Sequence, residues 1–99
     1  MKKIFTLSLF ASTSFLLADP AVTYASKCAS CHGADGRKQV THGESAVIAG
    51  RNAATTLQEL QGYKAGTLNK YGMGGVMKNM VASLDDATMR ELADYIAGL

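Results

Sequence analysis

The chain has 99 residues, enough for one domain, and ten basic against eight acidic residues leave it close to neutral. Two of the basic residues, Lys2 and Lys3, lie at the extreme N-terminus. The rest of the chain therefore balances at eight against eight, without the basic stripe that nucleic-acid binding calls for.

Met1-Lys2-Lys3 is followed by fourteen uncharged, mostly apolar or small residues, Ile4 to Leu17. A short apolar run behind two lysines, closing on a small residue, has the form of a secretory signal peptide and is too short to span a bilayer comfortably. Cleavage is expected after Ala18, which makes residues 1–18 a leader and 19–99 the mature domain, with no stable membrane insertion after cleavage. All three Phe lie in that leader. Leu, Ile and Val together make up only 13 of the 81 residues after Ala18. Such poverty in large apolar residues often accompanies disorder, but disorder usually brings net charge as well, and here there is none. Small domains of this kind need a staple. The composition points to a prosthetic group filling the core.

Pro20 to Lys27 is predicted as a short helix, with Pro20 suited to its first turn. Next comes Cys28-Ala29-Ser30-Cys31-His32-Gly33, which holds both cysteines of the chain. Three chemistries use two cysteines at this spacing. A thioredoxin-like redox dithiol needs a βαβ setting with β-branched strands around the motif, and the flanking sequence has none. Structural zinc wants four ligands, usually as two pairs, and His42 is the only other soft ligand apart from methionines. Covalent haem attachment uses both thiols on the haem vinyl groups and the adjacent histidine as proximal iron ligand. The spacing suits the last. Cys28 and Cys31, one helical turn apart, reach neighbouring vinyls on one edge of a macrocycle, while His32 projects under the ring. A haem also brings the aromatic bulk that the mature domain lacks.

From Gly33 to Gly50 the chain is polar and punctuated by glycine, and reads as a loop with Val47 and Ile48 as apolar anchors. Asn52 to Lys64 is predicted as a second helix, with Leu57, Leu60 and Tyr63 on one face, Thr55 or Thr56 near the N-cap and Gly66 closing it. Leu68 to Met80, with three glycines among its methionines, is read as irregular. Ser83 or Asp85 opens a last helix, on which Met89, Leu92, Ala93 and Ile96 recur at i, i+3, i+4 and i+7. No strand, repeat or second domain is legible. The fold class is small all-α.

A histidine-ligated iron is either open or closed by a sixth ligand, for which Met73, Met77, Met80, Met89 and His42 are the candidates. Met89 belongs to the apolar face of the last helix. His42 lies in a polar loop ten residues after His32 and reads as solvent-exposed. The glycine-rich stretch before the last helix is where a thioether could be presented, by Met77 or by Met80, although either could simply fill space.

The mature chain resembles a class I c-type cytochrome of the small bacterial c-553 type over essentially its whole length. The resemblance is carried by Cys28-Ala-Ser-Cys-His32-Gly-Ala-Asp-Gly36, Leu57-Gln-Glu-Leu-Gln-Gly-Tyr63, Val76-Met77-Lys-Asn79, and Leu84-Asp-Asp through Leu92-Ala-Asp-Tyr-Ile96. It implies three to four short helices wrapped around one haem c, held by two thioethers from Cys28 and Cys31. His32 is then the proximal ligand and Met77 the distal one, with Met80 as the next candidate. It also implies that the first and last helices cross through Ala21, Tyr24, Leu92 and Tyr95. One departure stands out. Many relatives place a proline after the haem motif, whose carbonyl accepts from the proximal histidine. Here the chain reads Ala46-Val47-Ile48-Ala49, where a valine carbonyl can accept equally but fixes the orientation of His32 less firmly.

A closed, low-spin His/Met iron suits one-electron transfer and not chemistry on a bound substrate, and a thioether raises its potential. The reading is a soluble periplasmic monohaem carrier in a respiratory chain, a monomer and not an enzyme. By resemblance, its redox partners are a quinol-oxidising cytochrome complex and a terminal oxidase or peroxidase. The competing reading is an open-iron haem sensor or the haem subunit of a periplasmic dehydrogenase.

Overall fold

A computed structural model of the chain describes residues 19–39 and 47–99. Residues 1–18, assigned above to a signal peptide, and residues 40–46, which include His42, lie outside the described residues. Within them the fold is all-helical, with five helices: α1 (Pro20–Lys27), α2 (Ala29–His32), α3 (Ala53–Ala65), α4 (Gly74–Val81) and α5 (Asp86–Ala97).

Local chemistry accounts for the ends of these helices. Asp19 caps α1 by accepting from the Ala21 amide at 2.9 Å, and Pro20 occupies the first turn, where no backbone donor is needed. Asn52, and not a threonine, caps α3, accepting from the Thr55 amide at 3.1 Å. Gly66 ends that helix in the left-handed conformation at φ 79°, the usual glycine stop. Asp85 caps α5 by accepting from the Thr88 amide at 2.8 Å.

Helix α5 lays Met89, Leu92, Ala93 and Ile96 into the core, as its spacing predicts. It packs against α1 and α3. At the α1–α5 crossing the Tyr24 and Tyr95 rings lie 5.5 Å apart, tilted by 46°. Ala21, expected at that crossing, is exposed, and Thr23 is the residue buried beside Tyr24. Leu60, Val81 and Leu84 complete the buried cluster. This core is thin for a folded domain.

The stretch from Leu68 to Met80, read from sequence as irregular, contains a true helix. Gly72, at φ 82°, turns the chain, and α4 begins at Gly74. The Gly74 amide donates to Asn69 Oδ1 at 2.8 Å. A Cβ on Gly74 would sit 2.5 Å from the Leu68 carbonyl oxygen. Glycine is needed there for close approach, so it starts the helix and does not break it. Helix α4 leans chiefly on α3. The loop after α2 is fastened to the C-terminus: Ile48 and Ala49 amides both donate to the Gly36 carbonyl at 3.0 Å, and the Gly50 amide to that of Ile96 at 3.0 Å.

Candidate functional site

A cavity of about 130 Å³, open to solvent along one side, lies between α2, α3 and α4. Its floor and walls can be taken element by element. The α1–α2 junction contributes Lys27, Cys28, Cys31 and His32; α3 contributes Thr56, Glu59, Leu60 and Tyr63; α4 contributes Val76, Met77 and Met80. Ile48, Arg51, Tyr71, Met73 and Ile96 close the remaining gaps. The structure thus gathers four residues singled out in the sequence, Cys28, Cys31, His32 and Met77, into one wall system. Met89 is buried in the core and does not line it.

Helix α2 is a single turn that exists to present the motif. The His32 amide donates to the Cys28 carbonyl at 2.9 Å, and Gly33 leaves the turn at φ 84°. Both thiols are free, Cys28 half-buried and Cys31 exposed. Burial pushes the Cys28 thiol up to about 11, with Lys27 opposing weakly. A redox dithiol needs a lowered thiol pKa, so this environment opposes the thioredoxin-like reading. No group of three or more His, Cys, Asp or Glu side chains able to hold a metal occurs among the described residues.

Burial also lowers the His32 pKa, favouring the neutral imidazole that ligates a metal. Its Nδ1 is buried and has no hydrogen-bond partner among the described residues. The expected acceptor, the Val47 carbonyl, therefore does not take this proton. With Nδ1 sealed in the protein, Nε2 is the nitrogen left for the cavity.

Sequence reasoning missed the polar part of the wall. Arg51 and Glu59 form an ion pair at 3.0 Å, both partly buried. Thr56, Glu59, Leu60 and Tyr63 face the cavity from one stripe of α3, at i, i+3, i+4 and i+7. The periodicity of the leucines had disclosed only its apolar members. The donor set, the apolar walls and the two thiols at one edge fit an amphipathic macrocycle carrying iron.

Residues 18–99 match the family described as Cytochrome c. The chain belongs to the cytochrome c family. It is 36% identical over 107 aligned residues to cytochrome c-553 of Nitratidesulfovibrio vulgaris, with both chains covered in full. It is 34% identical over 80 residues to cytochrome c-554(547) of Halothiobacillus neapolitanus, across 77% of this chain and 88% of that one. As a small class I c-type cytochrome it is a monohaem electron carrier whose cofactor is covalently bound haem c. Cys28 and Cys31 have the spacing of the family's attachment motif. No helix among the described residues is long and apolar enough to cross a membrane.

Proposed function

We propose that this cytochrome c carries single electrons in the periplasm, within a respiratory chain, through a haem closed by His32 and Met77. The observation that carries the reading is the shared cavity: the histidine of the attachment motif and the thioethers of α4 line the same space. When bound, the haem supplies one-electron exchange between ferric and ferrous iron. The protein's part is to tether, ligate and shield it. Cys28 and Cys31 give the two thioether bonds at one edge. His32 offers a neutral ring nitrogen, and Met77 a soft sulfur that favours the ferrous state. Met77 packs against the buried core while lining the cavity, so its backbone is held in both oxidation states. Little rearrangement on electron transfer follows from that fixity. A closed iron leaves no position for substrate, which supports a carrier and not an enzyme.

The start of the family match at residue 18 supports a leader over 1–18 and a mature domain over 19–99. Electron exchange with partners fits the edge near Cys31, where Ser30, Cys31 and Ala34 are exposed and small. Weak, brief docking of a monomer there, with an interface below about 1,200 Å², suits a shuttle between a quinol-oxidising cytochrome complex and a terminal oxidase or peroxidase. The test is an optical spectrum and redox titration of protein matured in a periplasm. A near-infrared sulfur–iron band in the oxidised form is expected. Carbon monoxide binding to the reduced form without that band would establish an open iron, as in a sensor or a dehydrogenase subunit, and end this reading.

A further inference from the structure

One axial position takes one thioether, yet Met73, Met77 and Met80 all line the cavity. Met77 and Met80 lie on one side of α4, and Met73 is the residue that caps its N-terminus. With about 100° and 1.5 Å per residue, Met77 and Met80 lie roughly 60° apart around the helix and about 4.5 Å apart along it. Their surroundings differ. Val81, 3% exposed, lies beyond Met77, and Met77 packs on the buried core. Val76, 48% exposed, lies beyond Met80, and Met80 is not among the side chains packed against that core. Core packing therefore accounts for Met77 but not for Met80, which is half-buried and lines the cavity.

We propose that Met80 is a reserve axial ligand: when the Met77 sulfur leaves the iron, the Met80 sulfur takes its place. This rests on the reading of Met77 as the resident ligand. In the exchange one sulfur–iron bond breaks and another forms, each made by a thioether lone pair, with no proton or electron transferred. The movement required is modest. Methionine is unbranched and flexible. Helix α4 has eight residues and leans mainly on α3. Met73 is a poorer substitute. It precedes the helix, and the neighbouring Gly74 is fixed to Asn69 and pressed against Leu68. The function served is protection: the iron stays closed to small ligands when Met77 dissociates.

The experiment compares holoproteins carrying Met77→Leu, Met80→Leu, Met73→Leu and Met77→Leu/Met80→Leu, since leucine keeps the volume and removes the sulfur. The readouts are the near-infrared band of the oxidised form and the carbon monoxide affinity of the reduced form. Met77→Leu is expected to keep a displaced band that the double variant lacks, with Met73→Leu unchanged. If Met80 closes the iron in nine molecules of ten, Met77→Leu binds carbon monoxide about tenfold more weakly than the double variant. Loss of the band in Met77→Leu, with an affinity equal to that of the double variant, overturns the reserve role and leaves Met77 as the ligand. Loss of the band in Met80→Leu alone makes Met80 the resident ligand and overturns both readings.

Discussion

The Tyr24 hydroxyl donates to the Gly33 carbonyl at 2.6 Å, tying the middle of α1 to the residue that ends the attachment motif. Tyr24 is 1% exposed and stacks near Tyr95 of α5. One side chain thus joins the α1–α5 crossing to the turn that presents His32. Tyr24→Phe keeps the ring and removes the donor, leaving a carbonyl short of a partner. A loss of about 1–1.5 kcal/mol in denaturant unfolding is expected. The hydroxyl also sets an alkaline limit. Burial, followed by the nearby Cys28, raises its pKa from 10.0 to about 12, so the folded state holds the phenol proton more tightly than the unfolded chain. That stabilisation is complete below pH 10 and is lost as pH rises towards 12, by roughly 2–3 kcal/mol. The phenylalanine variant lacks this step, so its stability curve should meet and then cross that of the parent as pH rises towards 12. Parallel curves up to pH 12 would remove the hydroxyl from the account.

Gly74 and Gly75 are neighbours in sequence and opposites in packing. Gly74→Ala drives a Cβ to 2.5 Å from the Leu68 carbonyl oxygen and 2.9 Å from Asn69 Oδ1, whereas a Cβ on Gly75 meets nothing within 4 Å. The first substitution forces α4 outward and should cost about 1–3 kcal/mol. It should also disturb the near-infrared band, because the methionines move with the helix. The second replaces a poor helix former with the best one, and is expected to be neutral or stabilising by up to about 1 kcal/mol. Thermal unfolding of the two variants checks the contrast, and equal effects would mean that α4 is not held by this contact.

How much of this was legible in the sequence follows from the signals each segment carries. Helix α5 shows an uninterrupted i, i+3, i+4, i+7 pattern behind an aspartate cap, so Met89, Leu92, Ala93 and Ile96 reveal both the helix and its buried face. The attachment motif is legible because its chemistry fixes residue types at fixed spacing. Helix α4 was hidden. Glycines at 72, 74 and 75 read as breakers, while the need for Gly74 arises from the Leu68 carbonyl, which no local pattern discloses. Met77 and Met80 stand at a helical spacing on α4, but two methionines alone do not distinguish a helix face from a ligand loop. The cap of α3 was misplaced onto the threonines because Asn52 was counted inside the helix. The Arg51–Glu59 pair and the missing acceptor for His32 Nδ1 depend on how loops fold over the cavity, beyond the reach of spacing.

Among the described residues the buried core comprises eight hydrophobic residues, of which Tyr24 alone is aromatic. A largely apolar cavity borders it. Without a tethered group that space is filled by water against apolar walls, and a domain of this size has little surplus stability to absorb the loss. Cys28→Ala or Cys31→Ala is therefore expected to yield little folded protein, with haem stain on a denaturing gel reduced in the single variants and absent when both are changed. Normal yield and native near-ultraviolet dichroism of a haem-free double variant would show that the helices need no prosthetic group.

Arg51 and Glu59 place one positive and one negative charge in the cavity wall, 3.0 Å apart and each partly shielded from solvent. As a pair they nearly cancel at the iron; separated by mutation they do not. Glu59→Gln leaves Arg51 uncompensated beside a centre that gains positive charge on oxidation, so the ferric state is destabilised and the reduction potential should rise. Arg51→Gln leaves the carboxylate alone and should lower it. At an effective dielectric near 20, a unit charge about 10–15 Å from another would be worth about 1–2 kcal/mol, which sets the scale of each change. Added salt should shrink it, because the pair is partly exposed. Spectroelectrochemical titration at low and high ionic strength reads both the sign and the screening. The opposite signs are the decisive feature. Damage to the wall would let water reach the haem and move both variants in the same direction, whereas charge acting across the cavity must move them apart.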